Sequence, residues 1–191
     1  MFIYIFLFKV NNLYYIDMIY HYKDDLQQLK YTIDTPLFYS KDYTFIPLNV
    51  KSKLSKKIIL QTPKMFVPFG IQENMNSKDY IMISFHNSIN DINTNKFYND
   101  LQKIYTTIQN HYSDKYKINN FLKPYKNTFT MNLKLKENAP IFNLLKQSRG
   151  NIPIYSYASF IIYLAGLWVH DGQIWFQWYN LQTRIENDIS L

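Results

Sequence analysis

The chain has 191 residues, 47% of them hydrophobic, which is enough apolar material to bury a core and excludes disorder throughout. Cysteine is absent, so disulfide frameworks, cysteine-ligated zinc or iron–sulfur sites and cysteine nucleophiles are excluded. The net charge of +7 favours polyanionic partners, nucleic acid or an anionic surface. Nineteen of the 21 bases are lysine, with only Arg149 and Arg184 as arginines, and the Lys, Asn, Ile, Tyr and Phe bias matches AT-rich codons.

In chain order, Met1 to Phe8 is apolar but has no preceding basic residue and no small-residue cleavage site, and it is too short to span a bilayer. It reads as a strand or an irregular appendage, with a degenerate signal sequence as the minor alternative, and the chain as intracellular. Residues 1–42, rich in Tyr and Asp, are expected to be an irregular N-terminal extension. Short β-prone runs follow near 43–50 and 57–62, the second ended by Thr62-Pro63, and another lies near 80–86. Around the second of these, residues 51–70 carry Lys51, Lys53, Lys56, Lys57 and Lys64 with no acid. Such a cluster is either a solvated face or an electrostatic footprint.

From Asn93 the spacing turns helical. Phe97, Leu101, Ile104, Tyr105, Ile108 and Tyr112 recur at three and four residues, with Asn93 or Thr94 as the N-cap. Phe129, Met131, Leu133 and Leu135 then alternate with Thr130, Asn132, Lys134 and Lys136, the pattern of a half-buried strand. Residues 137–159, with Pro140 and Pro153, read as an irregular excursion.

Residues 160–169 and 173–183 form a hairpin around His170-Asp171-Gly172, because Asp-Gly supplies the positive φ angles of a type I′ turn. That turn pairs Val169 with Ile174, Leu167 with Phe176 and Ala165 with Trp178 on one face. The other face pairs Leu164 with Tyr179, Gly166 with Gln177, Trp168 with Trp175 and His170 with Gln173. The elements together make a mainly β, OB-like, partly open barrel over residues 43–185, with one helix between its third and fourth strands and one strand as an addition. Residues 186–191 form a short acidic tail.

Enzyme signatures are absent. His21, His86, His111 and His170 have no paired metal-ligand spacing, the four glycines form no phosphate-cradling loop, and there is no nucleophile elbow. No catalytic residue, metal or cofactor is expected. Single-strand binding needs a cationic groove and rings on which bases stack, and lysine serves as a point charge where duplex reading favours arginine forks. Trp168, Trp175 and Tyr179 are the candidate stacking platform, and Lys51, Lys53, Lys56, Lys57, Lys64, Lys134 and Lys136 the field. The same rings can equally cover the core beneath the helix. Phe66, within Pro63 to Gly70, is a further contact candidate beside the basic cluster.

The runs Ile59-Leu60-Gln61-Thr62-Pro63-Lys64-Met65-Phe66-Val67-Pro68-Phe69-Gly70, Ile162 to Trp168 and Gln173 to Gln182 resemble an OB-fold, phage-type single-stranded-DNA-binding family of large nucleocytoplasmic DNA viruses. The resemblance covers roughly residues 55–185. It implies non-catalytic, sequence-independent coating of single-stranded DNA in replication, recombination or repair, in the host cytoplasm or at a viral replication site. Acidic tails in such proteins recruit replication partners, but here Glu186 to Leu191 carries only two side-chain acids. The alternative is a non-enzymatic β-rich virion or replication-complex module that binds protein. Paired aromatic strands also allow a homodimer edge, and no membrane partner is expected.

Overall fold

A computed structural model describes residues 4–10, 13–24, 31–33, 35–50, 57–73, 79–86 and 91–186. In chain order the strands are β1 (Tyr4–Val10), β2 (Leu13–His21), β3 (Tyr31–Ile33), β4 (Leu37–Phe38), β5 (Thr44–Val50), β6 (Ile58–Gln61), β7 (Met65–Val67), β8 (Ile71–Glu73) and β9 (Asp79–Ser84). After the helix α1 (Ile92–Tyr112) come β10 (Lys117–Asn119), β11 (Lys123–Tyr125), β12 (Thr128–Leu135), β13 (Ile141–Phe142), β14 (Ser156–His170) and β15 (Gln173–Ile185). The protein is mainly β, as expected from the sequence.

Five strands close a ring. β7 pairs with β9, β9 with β12, β12 in parallel with β15, β15 with β14, and β14 with β7. This closed barrel, with one helix between strands, is consistent with an OB-like fold. Closure removes the open edges that a flat sheet would leave. The helix enters between the second and third strands of the ring, because β5 lies outside it, paired with β14, β3 and β4. That strand is the addition the sequence had left unassigned.

The first ring strand is bent. β6 and β7 both run against β14, at Ile161–Leu164 and Ser156–Ala158 respectively, and Thr62-Pro63 interrupts them. Proline has no N–H to give to a ladder. Thr62 fills the break: its N–H donates to the Phe160 carbonyl at 2.9 Å, and its Oγ1 accepts the Phe160 N–H at 3.0 Å.

The hairpin turn is as expected, with Asp171 and Gly172 both left-handed at φ 46° and 68°. The expected register holds from His170 opposite Gln173 to Gly166 opposite Gln177, then shifts by one. Trp178 stands opposite Leu164 and Tyr179 opposite Tyr163, which corrects the Ala165–Trp178 and Leu164–Tyr179 pairs. The cause is a bulge at Ala165 beside Gly166. Gly166 has φ 156°, and a Cβ there would lie 2.3 Å from the Ile46 carbonyl oxygen of β5. Only glycine lets β5 approach this closely. Beyond the bulge β14 leaves β5 and takes β6 as its neighbour.

Residues 1–42, expected to be irregular, contain strands among the described residues. β1 and β2 form a hairpin, β2 runs parallel to β6, and β3 and β4 line β5. The helix starts earlier than its periodicity suggests, because Asp91 rather than Asn93 or Thr94 is the N-cap. Its carboxylate accepts the Asn93 N–H at 3.1 Å and the Thr94 hydroxyl at 2.5 Å. Phe97, Leu101, Ile104 and Ile108 are buried against Phe85, Met131, Leu133 and Ile174 in one core cluster. Among the described residues no helix is long and apolar enough to cross a membrane.

Candidate nucleic-acid interface

The outward side of β7, β9 and β12 follows from alternation. Met65, Val67, Ile81, Ile83, Met131 and Leu133 are buried in the core, so Phe66, Ser84, Thr130 and Lys134 point away from it. Phe66 lies opposite Ser84 on one side and Tyr157 on the other, and Ser84 lies opposite Thr130. Around Phe66 the rings of Tyr157, His86 and Tyr155 have centroids at 5.3, 5.8 and 6.5 Å. The Tyr155 ring is near-parallel to Phe66 and 63% exposed.

Phe66, His86 and Tyr155 wall a groove of about 290 Å³. Phe69 and Tyr125, edge-on at 6.1 Å, also line it, and Ser84 and Thr128 lie between. Cations sit on the rings: Lys64 Nζ is 4.9 Å from the Tyr157 centroid, and Lys126 Nζ is 5.6 Å from that of Tyr125. No carboxylate is among the described residues lining this groove.

The backbone at the groove is unusual in two places. Lys126, the first turn residue between β11 and β12, has φ 51°, and Tyr155, just before β14, has φ 54°. A non-glycine residue in this region costs about 1–2 kcal/mol, and such costs concentrate where a ligand is held.

The residues proposed from sequence separate into groups. Lys51, Lys53 and Lys56 lie outside the described residues, and Lys57 is exposed just before β6. Phe66 lines the groove above, and Lys64 lies beside it over the Tyr157 ring. Lys134 and Lys136 line a second groove, of about 740 Å³, with Arg149, Tyr179, Asp79 and Glu137. There Lys134 Nζ donates to Gln177 Oε1 at 2.9 Å.

The hairpin rings do not form an open shelf. Trp168 and Trp175 are opposite each other, but Trp168 is half-buried between Phe45 and Tyr39, at 4.9 and 5.0 Å, and its Nε1–H donates to Gln177 Oε1 at 2.9 Å. Tyr179 is half-buried and near-parallel to Tyr163 at 6.3 Å. Burial, with a smaller contribution from Tyr39, raises the Tyr179 phenol above its usual pKa. Trp175 alone of the three is open, at 37% exposure, beside His170.

Sequence reasoning missed Tyr155, Tyr157, Tyr125, His86 and Lys126. Their common signal is the pairing of β7 with β14 and of β11 with β12, which no local pattern encodes. Among the described residues, no three or more His, Asp or Glu side chains group so as to hold a metal ion. No family model and no curated protein matches the chain.

Proposed function

We propose that this protein binds single-stranded nucleic acid without sequence specificity, and that the Phe66–Tyr155 groove is the primary contact. One observation carries the reading: aromatic rings from β7, β11 and the segment before β14 meet in a groove that has Lys126 on its Tyr125 ring, Lys64 on the neighbouring Tyr157 ring and no carboxylate among its described lining. Bases stack on any ring face, each stack contributing about 1–3 kcal/mol, and lysines track the phosphates. A barrel of this kind is a common frame for oligonucleotide binding. The sequence resemblance to single-stranded-DNA-binding proteins points the same way, toward a role in DNA replication, recombination or repair.

Fluorescence anisotropy with labelled oligo-dT, at several salt concentrations, tests the reading. Affinity should fall with salt in proportion to the phosphates neutralised, about 0.7 in the log–log slope for each. Absence of binding at low salt would reject it. A second reading, a barrel that binds protein, draws on the exposed Leu37, Phe38, Tyr39 and Tyr43. It predicts that oligonucleotide affinity is weak and indifferent to Tyr155→Ala.

A further inference from the structure

The two grooves lie on one continuous outward surface. Along β12, Thr128 lines the first groove and Lys134, six positions further on, the second. An even separation keeps both on the same side of the strand, about 20 Å apart. Between them the outward pairs are Ser84 with Thr130, Met82 with Asn132 and Tyr80 with Lys134. Ser84 and Thr130 are buried, Ser84 at the floor of the first groove, while Asn132 is exposed and Met82 half-buried, so the strip is open from Met82 and Asn132 onward. The row continues across the barrel from Lys134 to Tyr179 and from Tyr179 to Tyr163. In the second groove Lys134, Lys136 and Arg149 outnumber the two carboxylates, Asp79 and Glu137.

We propose that one single strand occupies both grooves, entering at the Phe66–Tyr155 rings and running along the outward side of β12 to Lys136 and Arg149. This inference rests on the binding reading above and gives it a path and a minimum length. The first groove takes bases by stacking, and the second takes mainly phosphates, since its contribution is charge with one half-buried ring. A strand of about 4 nucleotides fills the first groove only, whereas one of about 12 reaches both, within the range that barrels of this kind cover.

The test is anisotropy on the full chain with fluorescein-labelled oligo-dT of about 4 and about 12 nucleotides, comparing wild type, Lys136→Glu/Arg149→Glu and Tyr155→Ala. Lys136 and Arg149 are exposed, so the double variant should fold, which circular dichroism checks. The double variant should lose about tenfold or more in affinity for the longer strand, and its salt slope should fall by about 1.4 as two phosphate contacts go. For the shorter strand it should match wild type. Tyr155→Ala should weaken both. If the double variant weakens both lengths equally, or neither, while Tyr155→Ala still weakens binding, the two-groove path is wrong and the primary site stands. If wild type binds neither length, both fail.

Discussion

Lys126 and Tyr155 both hold left-handed backbones, come from two separate loops and line the same groove. Replacing Tyr155 by glycine should relieve the left-handed cost, about 1–2 kcal/mol, while removing a stacking ring. The expected outcome is a fold at least as stable as Tyr155→Ala in urea, and weaker oligonucleotide binding than wild type. Tighter binding by Tyr155→Gly would show that the ring is not a contact.

Gln177 is buried, and its Oε1 accepts from both Lys134 Nζ and Trp168 Nε1 at 2.9 Å. Gln177→Leu removes that acceptor and leaves the Trp168 indole N–H to find water. Stability should drop by about 1–3 kcal/mol, with a change in the emission maximum of Trp168. Unchanged unfolding midpoint and emission would mean that this node carries no weight.

Gly166→Ala should be among the most damaging single substitutions. Its Cβ would stand 2.3 Å from the Ile46 carbonyl oxygen and 2.7 Å from the Phe45 ring. The Ile46 carbonyl cannot retreat without separating β5 from β14, and a cost above about 3 kcal/mol is expected. Amide exchange should be fastest to rise along Thr44–Ile46.

Lys96 fastens the end of β2 to the helix. Its Nζ donates to the Tyr22 and Asp24 carbonyls at 3.1 and 2.6 Å and to Asp100 Oδ2 at 2.7 Å. Asp100 is 3% exposed, and its other cation, Lys103, is 3.9 Å away. Lys96→Met keeps the stem and leaves that carboxylate poorly compensated. A loss of about 1–3 kcal/mol is expected, smaller than for a fully buried pair because Lys96 is partly solvated. Exchange protection at Ile19–Asp24 should fall with it; unaltered protection there would refute the fastening.

His21 gives the pH dependence. Burial holds its pKa below the usual 6.5, opposed by Asp24 and reinforced by Lys23, and its Nδ1 accepts the Lys23 N–H at 3.1 Å. The folded state therefore binds this proton less readily than the unfolded chain. Its contribution is complete above about pH 6.5 and is lost as pH falls from there through the lowered folded value. His21→Gln should flatten that acid-side decline in thermal midpoint. An identical slope in the variant would remove His21 as its source.

Much of the fold was legible because it is locally encoded. The Asp171-Gly172 turn fixed the hairpin register as far as Gly166, and the spacing from Phe97 to Ile108 fixed the buried side of the helix. The register beyond Gly166 was not legible, since the bulge answers to the close approach of β5, which is 120 residues earlier at Ile46. Of the candidate site, Lys64 and Phe66 were found from the charge and rings around Pro63. Tyr155 and Lys126 were not, because neither lies in a basic or periodic stretch.

The sequence by itself determined that this chain is a β-rich, basic, cysteine-free protein with one amphipathic helix, since alternation, period and turn chemistry act over neighbouring residues. Only the tertiary structure decided which rings face solvent. Tyr39 and Phe45 cover Trp168, while ring closure brings Phe66, Tyr125 and Tyr155 around one groove. The reason is physical: burial of a side chain depends on which strand is laid beside it, and those pairings join residues far apart in the chain.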